Sequence, residues 1–152
     1  MMKIGCNTVA FRRSSLDFAL QEIASAGYKY VEVEANLLWC PHVDPWKDDP
    51  KDFQKKVASY GFEGVSAIGS HRELITSQEG VDDIRQALRW AKEASVPCIL
   101  TGEGRKPADM SIEDALRILA DRYAELGEVA EECQVHLALE DHGTISLTPE
   151  GL

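Results

Sequence analysis

The sequence predicts a parallel α/β fold of the (β/α) TIM-barrel type, carried through its first five strands only. Three observations predict it. Short apolar strands alternate with amphipathic helices along the whole chain, the pattern of βαβ crossovers. Each repeat has the length of roughly 30 residues that such a crossover requires. The first strand is followed by Gly5-Cys6-Asn7-Thr8-Val9-Ala10, with neither GxGxxG nor a Walker lysine, which disfavours an open nucleotide-binding sheet. Gly102-Glu103-Gly104 is too short a match to restore that alternative. A complete barrel takes about 250 residues, so these 152 residues are expected to form one domain, residues 1–152, truncated after strand five.

The elements follow in order. The first strand is expected at residues 3–7, and Ser14 with Asp17 gives a capping-box start to a helix whose stripe is Leu16, Ala19, Leu20 and Ile23. Gly27 closes it. The second strand, residues 30–34, puts Val31 and Val33 on one face and Tyr30, Glu32 and Glu34 on the other. Asp49-Pro50 opens a second helix that buries Phe53, Val57 and Tyr60 and ends at Gly61. The third strand, residues 65–68, runs into Gly69-Ser70-His71. Val81, Ile84, Leu88 and Ala91 mark the third helix, and residues 98–101 the fourth strand. Ser111 with Asp114 caps a long helix with Ala115, Leu116, Leu119, Tyr123, Leu126 and Ala130 inward. In the fifth strand Val135, Leu137 and Leu139 share the apolar face, while His136, Ala138 and Glu140 share the other. Thr148-Pro149-Glu150 reads as the start of a further helix.

With 44% hydrophobic and 28% charged residues the composition is that of a globular domain. The net charge of -10 disfavours nucleic acid as a partner, since phosphate binding depends on clustered Lys and Arg. No segment approaches the roughly 20 apolar residues of a membrane span, and Met1-Met2-Lys3-Ile4 leads straight into a strand, so no membrane association and a cytoplasmic location are expected. Cys6, Cys40, Cys98 and Cys133 form no CxxC pair and are expected as free thiols. Cys40-Pro41-His42 sets a thiol and an imidazole two apart, but no second pair completes a four-ligand zinc site, and a loop is the simpler reading.

Ligands bind at the carboxyl end of parallel strands, which directs attention to Glu140 and His142. A carboxylate at a strand end beside an imidazole suits a divalent cation that polarises a carbonyl; the competing reading is a strand cap followed by a turn. His71, just past the third strand, is taken as a substrate contact, against the commoner case of a solvated loop histidine. Glu32 and Glu34 point to the inner face, where a carboxylate is costly unless paired or used. Glu34 is read as lying past the strand end in solvent, which leaves Glu32 as the substrate contact. Trp39 and Trp46 bracket Cys40-Pro41-His42 and could wall a sugar ring, whereas Trp90 adjoins a helix stripe.

Taken together, Gly27-Tyr28-Lys29-Tyr30-Val31-Glu32, His71 and Leu137-Ala138-Leu139-Glu140-Asp141-His142-Gly143 resemble the xylose isomerase-like TIM-barrel superfamily, in its sugar phosphate isomerase/epimerase type. The resemblance spans the whole chain but only the N-terminal half of that fold. Its strongest part is the last segment, similar to the family's apolar run ending in Glu-Asn-His, with Asp141 in the asparagine position. It implies that Glu140 binds a divalent metal ion (Mn, Mg, Co or Zn) and is the catalytic residue in proton transfer next to a carbonyl. Glu32, His71 and His142 would then contact a sugar or polyol. The other ligands are implied on strands six to eight, so the chain alone is expected to be inactive, with open edges that favour a homo-oligomer. The implied reaction of the parent is metal-assisted isomerisation or epimerisation. The alternatives are an inosose-type dehydratase of the same superfamily and a non-catalytic half-barrel. An apurinic endonuclease fits less well: His71 matches a histidine position on strand three, but Thr101-Gly102-Glu103-Gly104 supplies none on strand four, and the charge is acidic.

Overall fold

The computed structural model describes residues 3–143 and 145–148. In chain order the elements are β1 (Gly5–Asn7), a 3-10 turn (Thr8–Phe11), α1 (Leu16–Ser25), β2 (Tyr30–Asn36), β3 (Cys40–Pro41), α2 (Pro50–Ser59), β4 (Gly64–Gly69), α3 (Gln78–Glu93), β5 (Cys98–Thr101), α4 (Ile112–Cys133) and β6 (His136–Leu139). β1, β2, β4, β5 and β6 pair in parallel and in that sequential order. The order never reverses beside β1, as it does in a doubly wound sheet, so the arrangement is that of a partial TIM barrel. β3 departs from expectation: the segment read as a loop folds back antiparallel on β2, with Asn36 opposite Cys40.

Local chemistry explains the helix starts. Asp49 accepts from the backbone N–H groups of Lys51 and Asp52 ahead of Pro50, and Ser111 Oγ accepts from Asp114 N at 3.0 Å. The cap of α1 is Ser15, however, not Ser14. Ser14 N is already committed to Phe11 O at 2.8 Å, completing the preceding turn, so Ser15 is the extended residue free to accept from Phe18 N. Gly27 (φ 90°) and Gly61 (φ 84°) take the left-handed conformation that lets the chain leave α1 and α2 for the next strand.

One face of the sheet meets the helices. Val31, Val33, Ile68 and Ile99 are buried there against Leu20, Ile23, Val57, Ile84, Leu88 and Leu126, each large side chain contributing about 1.5–3 kcal/mol by leaving water. Trp90 belongs to this core, 5.0 Å from the Phe53 ring and donating to Asp48 O at 2.7 Å. The apolar alternation of β6 is only partly realised. Val135 is buried and Leu137 half-buried, but Leu139 is 42% exposed, because β6 has one strand neighbour among the described residues. All four cysteines are free, Cys40 and Cys133 buried and the other two partly so. No helix among the described residues is long and apolar enough to cross a membrane. Of the expected helix start, Thr148 closes a turn onto Ile145 O, and Pro149 and Glu150 lie outside the described residues.

Candidate metal and substrate site

At the carboxyl end of the sheet the face turned away from the helices gathers polar side chains from four parallel strands. β6 delivers Glu140, whose N–H donates to Thr101 O at 2.8 Å and so continues the β5–β6 ladder by one residue. Two histidines bracket its carboxylate. His71 Nε2 lies 3.2 Å from one oxygen and His142 Nε2 3.3 Å from the other, and the two rings meet edge to face at 5.0 Å. Three of the residues singled out in the sequence are thus brought together, although 69 positions separate His71 from Glu140. Burial pulls the His71 pKa below its ordinary value despite the neighbouring Glu140 charge, which favours the neutral, ligating ring.

Glu32 also faces this group. Its pKa is raised, first by burial and then by the charges of Glu34 and Glu140, while a hydrogen bond from Asn7 Nδ2 opposes the shift. Glu34 is not where the sequence reading put it. β2 runs on to Asn36, so Glu34 sits within the strand at 3% exposure, accepting from Asn7 Nδ2 at 2.8 Å and from Asn36 Nδ2. The β2–β4 register shifts by one residue of β4 between Val31 and Glu32, and Gly69 makes room for Glu34: a Cβ there would lie 2.7 Å from its carboxylate. Asn36 Oδ1 in turn accepts from His71 N at 2.9 Å, linking the two carboxylate clusters.

The tryptophans expected as walls behave differently from that reading. Trp46 donates to Asp83 Oδ1 at 2.7 Å and lines a cleft of about 610 Å³ with residues of α3 instead of the Glu140 cluster. Trp39 is 48% exposed on the turn between β2 and β3. Cys40 Sγ is 3.6 Å from His42 Nδ1, but burial, followed by the Glu34 charge, pushes the thiol up to about 11, far from a thiolate ligand.

The donor set fits a divalent metal. One ligand atom each from His71, Glu140 and His142 lies within 4.8 Å of the others, and two imidazoles with a carboxylate suit zinc, cobalt or manganese. The supporting residues were missed in the sequence. Arg72 donates to His71 O at 2.8 Å, Ala35 O at 3.0 Å and Asp83, pinning the backbone beneath the histidine. Asn7, Asn36 and Glu103 are equally unannounced, since their partners are set by tertiary pairing and no local motif records it. The one available signal was the glycines at strand ends: Gly102 leaves 3.1 Å between a would-be Cβ and His71 Nδ1.

Comparison with known proteins supports the architecture. Residues 20–150 match the family model described as xylose isomerase-like TIM barrel. No curated protein matches the sequence. Among solved structures, a D-tagatose 3-epimerase-like protein superimposes with a TM-score of 0.78 at 20% identity, over 99% of this chain and 58% of that one. The 3-keto-D-glucoside 4-epimerase from E. coli gives 0.70 at 16% identity, over 91% and 56%. The IOLI protein with a binding zinc atom gives 0.67 at 18% identity, over 91% and 51%. The chain therefore spans slightly more than half the length of these relatives, and at such identities they share its fold.

Proposed function

The chain belongs to the xylose isomerase-like TIM barrel family, and from that premise we propose that it carries the metal- and substrate-binding strand ends of a sugar or sugar-phosphate isomerase/epimerase that moves a proton next to a carbonyl. The carrying observation is the His71–Glu140–His142 cluster at the carboxyl end of the parallel strands. In this reading Glu140 and the two imidazoles hold a divalent cation. When bound, the cation supplies Lewis-acid polarisation of a substrate carbonyl. Glu140 exchanges the proton on the adjacent carbon, a role its half-exposed carboxylate leaves it free to take. Glu32, whose pKa burial raises, faces the same space and hydrogen-bonds a substrate hydroxyl.

A second reading has one observation in its favour. A carboxyl group whose pKa is raised beside the site, as that of Glu32 is, is suited to protonate a departing hydroxyl, which fits an inosose-type dehydratase. The two are separated by incubating a complete barrel that carries these strand ends with Mn²⁺ and a ketohexose or an inosose in D₂O and following the products by NMR. Deuterium gained at the carbon next to the ketohexose carbonyl supports epimerisation, and loss of water from the inosose supports the dehydratase. Absence of any zinc or manganese binding by calorimetry would sink both.

A further inference from the structure

We propose that Glu103 is a positioning residue that sets His142 against Glu140 by clamping the far side of the turn that carries them. Glu103 lies just beyond β5 and is 2% exposed. A buried carboxylate is costly unless its oxygens are bonded, and here each oxygen accepts one backbone N–H, from Ile145 and from Ser146, both at 2.7 Å. Two successive amides aimed at one carboxylate form an anion grip. Ile145 itself is 1% exposed and part of the apolar core, so the gripped end is fixed from both sides.

The other end of the turn is fixed by the same short stretch of chain, through Glu140 N on Thr101 O at 2.8 Å. Residues 101–103 therefore hold Glu140 on one side of His142 and Ile145 with Ser146 on the other. His142 lies between the anchors with its side chain 62% exposed. Its backbone N–H reaches Glu140 O at 3.0 Å, and its ring has only Glu140 and His71 as polar or aromatic neighbours among the described residues. With so little packing on the ring, the backbone path decides where it stands. Gly143 completes the fit: a Cβ at that position would be 1.8 Å from Glu103 Oε1, so the turn can lie on the carboxylate only while residue 143 has no side chain.

The consequence for metal binding rests on the function proposed above; the clamp itself does not, and the test separates them. In the isotope-labelled chain, the Ile145 and Ser146 amides should resist hydrogen exchange, and the His71 and His142 ring protons should show a mutual NOE. Glu103→Ala should speed exchange at those two amides by about tenfold or more and abolish the ring NOE, with the amide shifts of β1 to β5 unchanged. Glu103→Gln keeps one acceptor oxygen and should restore part of both signals. Gly143→Ala, with Glu103 in place, should reproduce the loss, and adding it to Glu103→Ala should make nothing worse. A zinc titration on the same samples should show affinity about 10–100-fold weaker without the clamp. Wild type that binds no zinc but gives the expected exchange and NOE pattern would overturn the metal reading and leave the clamp standing. A ring NOE that survives Glu103→Ala, or that survives Gly143→Ala should Glu103→Ala fail to fold, overturns the clamp.

Discussion

Glu34, within β2, and Glu140, just past β6, belong to the same sheet with β4 and β5 between them, yet their surroundings differ in kind. Glu34 is 3% exposed and takes two amide donors, Asn7 and Asn36, against a wall opened by Gly69. Glu140 has a side chain 40% exposed and touches two imidazoles that can themselves bind something else. A carboxylate already saturated by amides organises its neighbours; one whose partners are ligands retains capacity for a cation. Sealing and exposure thus divide scaffold from chemistry within a single strand layer.

The comparison is most sharply broken by Glu140→Gln. A carboxamide keeps the shape and removes the charge, so zinc affinity measured by calorimetry should fall about 100-fold, roughly 2.7 kcal/mol, with the melting temperature unchanged. Equal affinities in the two proteins would remove Glu140 from the ligand set. Glu34→Ala should do the converse, lowering stability by about 2 kcal/mol in urea titration because the buried Asn36 amide loses its acceptor. Its effect on metal should be indirect, about tenfold through Asn36 and His71; a full loss of metal with unchanged stability would invert the assignment.

The smallest effect is expected at Glu32. Its folded pKa stands above the ordinary 4.5 because burial, then Glu34 and Glu140, oppose its charge. The cost of holding it charged is absent below pH 4.5 and sets in as pH rises through the folded value. Glu32→Gln should therefore raise the melting temperature at pH 7 and leave it unchanged at pH 4, as thermal melts at the two values would show. A gain of equal size at both would assign the effect to packing instead of charge.

Much of this arrangement is legible in the sequence because it follows from local rules. The capping residues Asp49 and Ser111, the span of β5 and the inward stripes of α3 and α4 all coincide with their periodicity and end signals. Glu140 was legible for the same reason, as the first charge after an apolar alternation. What local pattern could not carry is pairing. β2 outruns its apolar run because Glu34 and Asn36 are satisfied by residues from β1 and from the chain beyond β4, and the Ser14 and Ser15 hydroxyls are told apart only by which amide the preceding turn has used. Glu103 depends on two backbone amides 42 and 43 residues away, which no side-chain motif announces.

The opposite end of the sheet offers a different kind of opportunity. Among the described residues, each of the four α-helices is followed closely by a residue in the left-handed region: Gly27 after α1, Gly61 after α2, Ser95 (φ 54°) after α3 and Gln134 (φ 57°) after α4. The last two carry a side chain where glycine pays no steric penalty. Ser95→Gly and Gln134→Gly should each raise stability by roughly 0.5–1 kcal/mol, read from denaturant midpoints. Because these joints sit at the amino ends of the strands, away from Glu140, they are where an engineer could gain tolerance for costlier changes at the reactive rim without redesigning it.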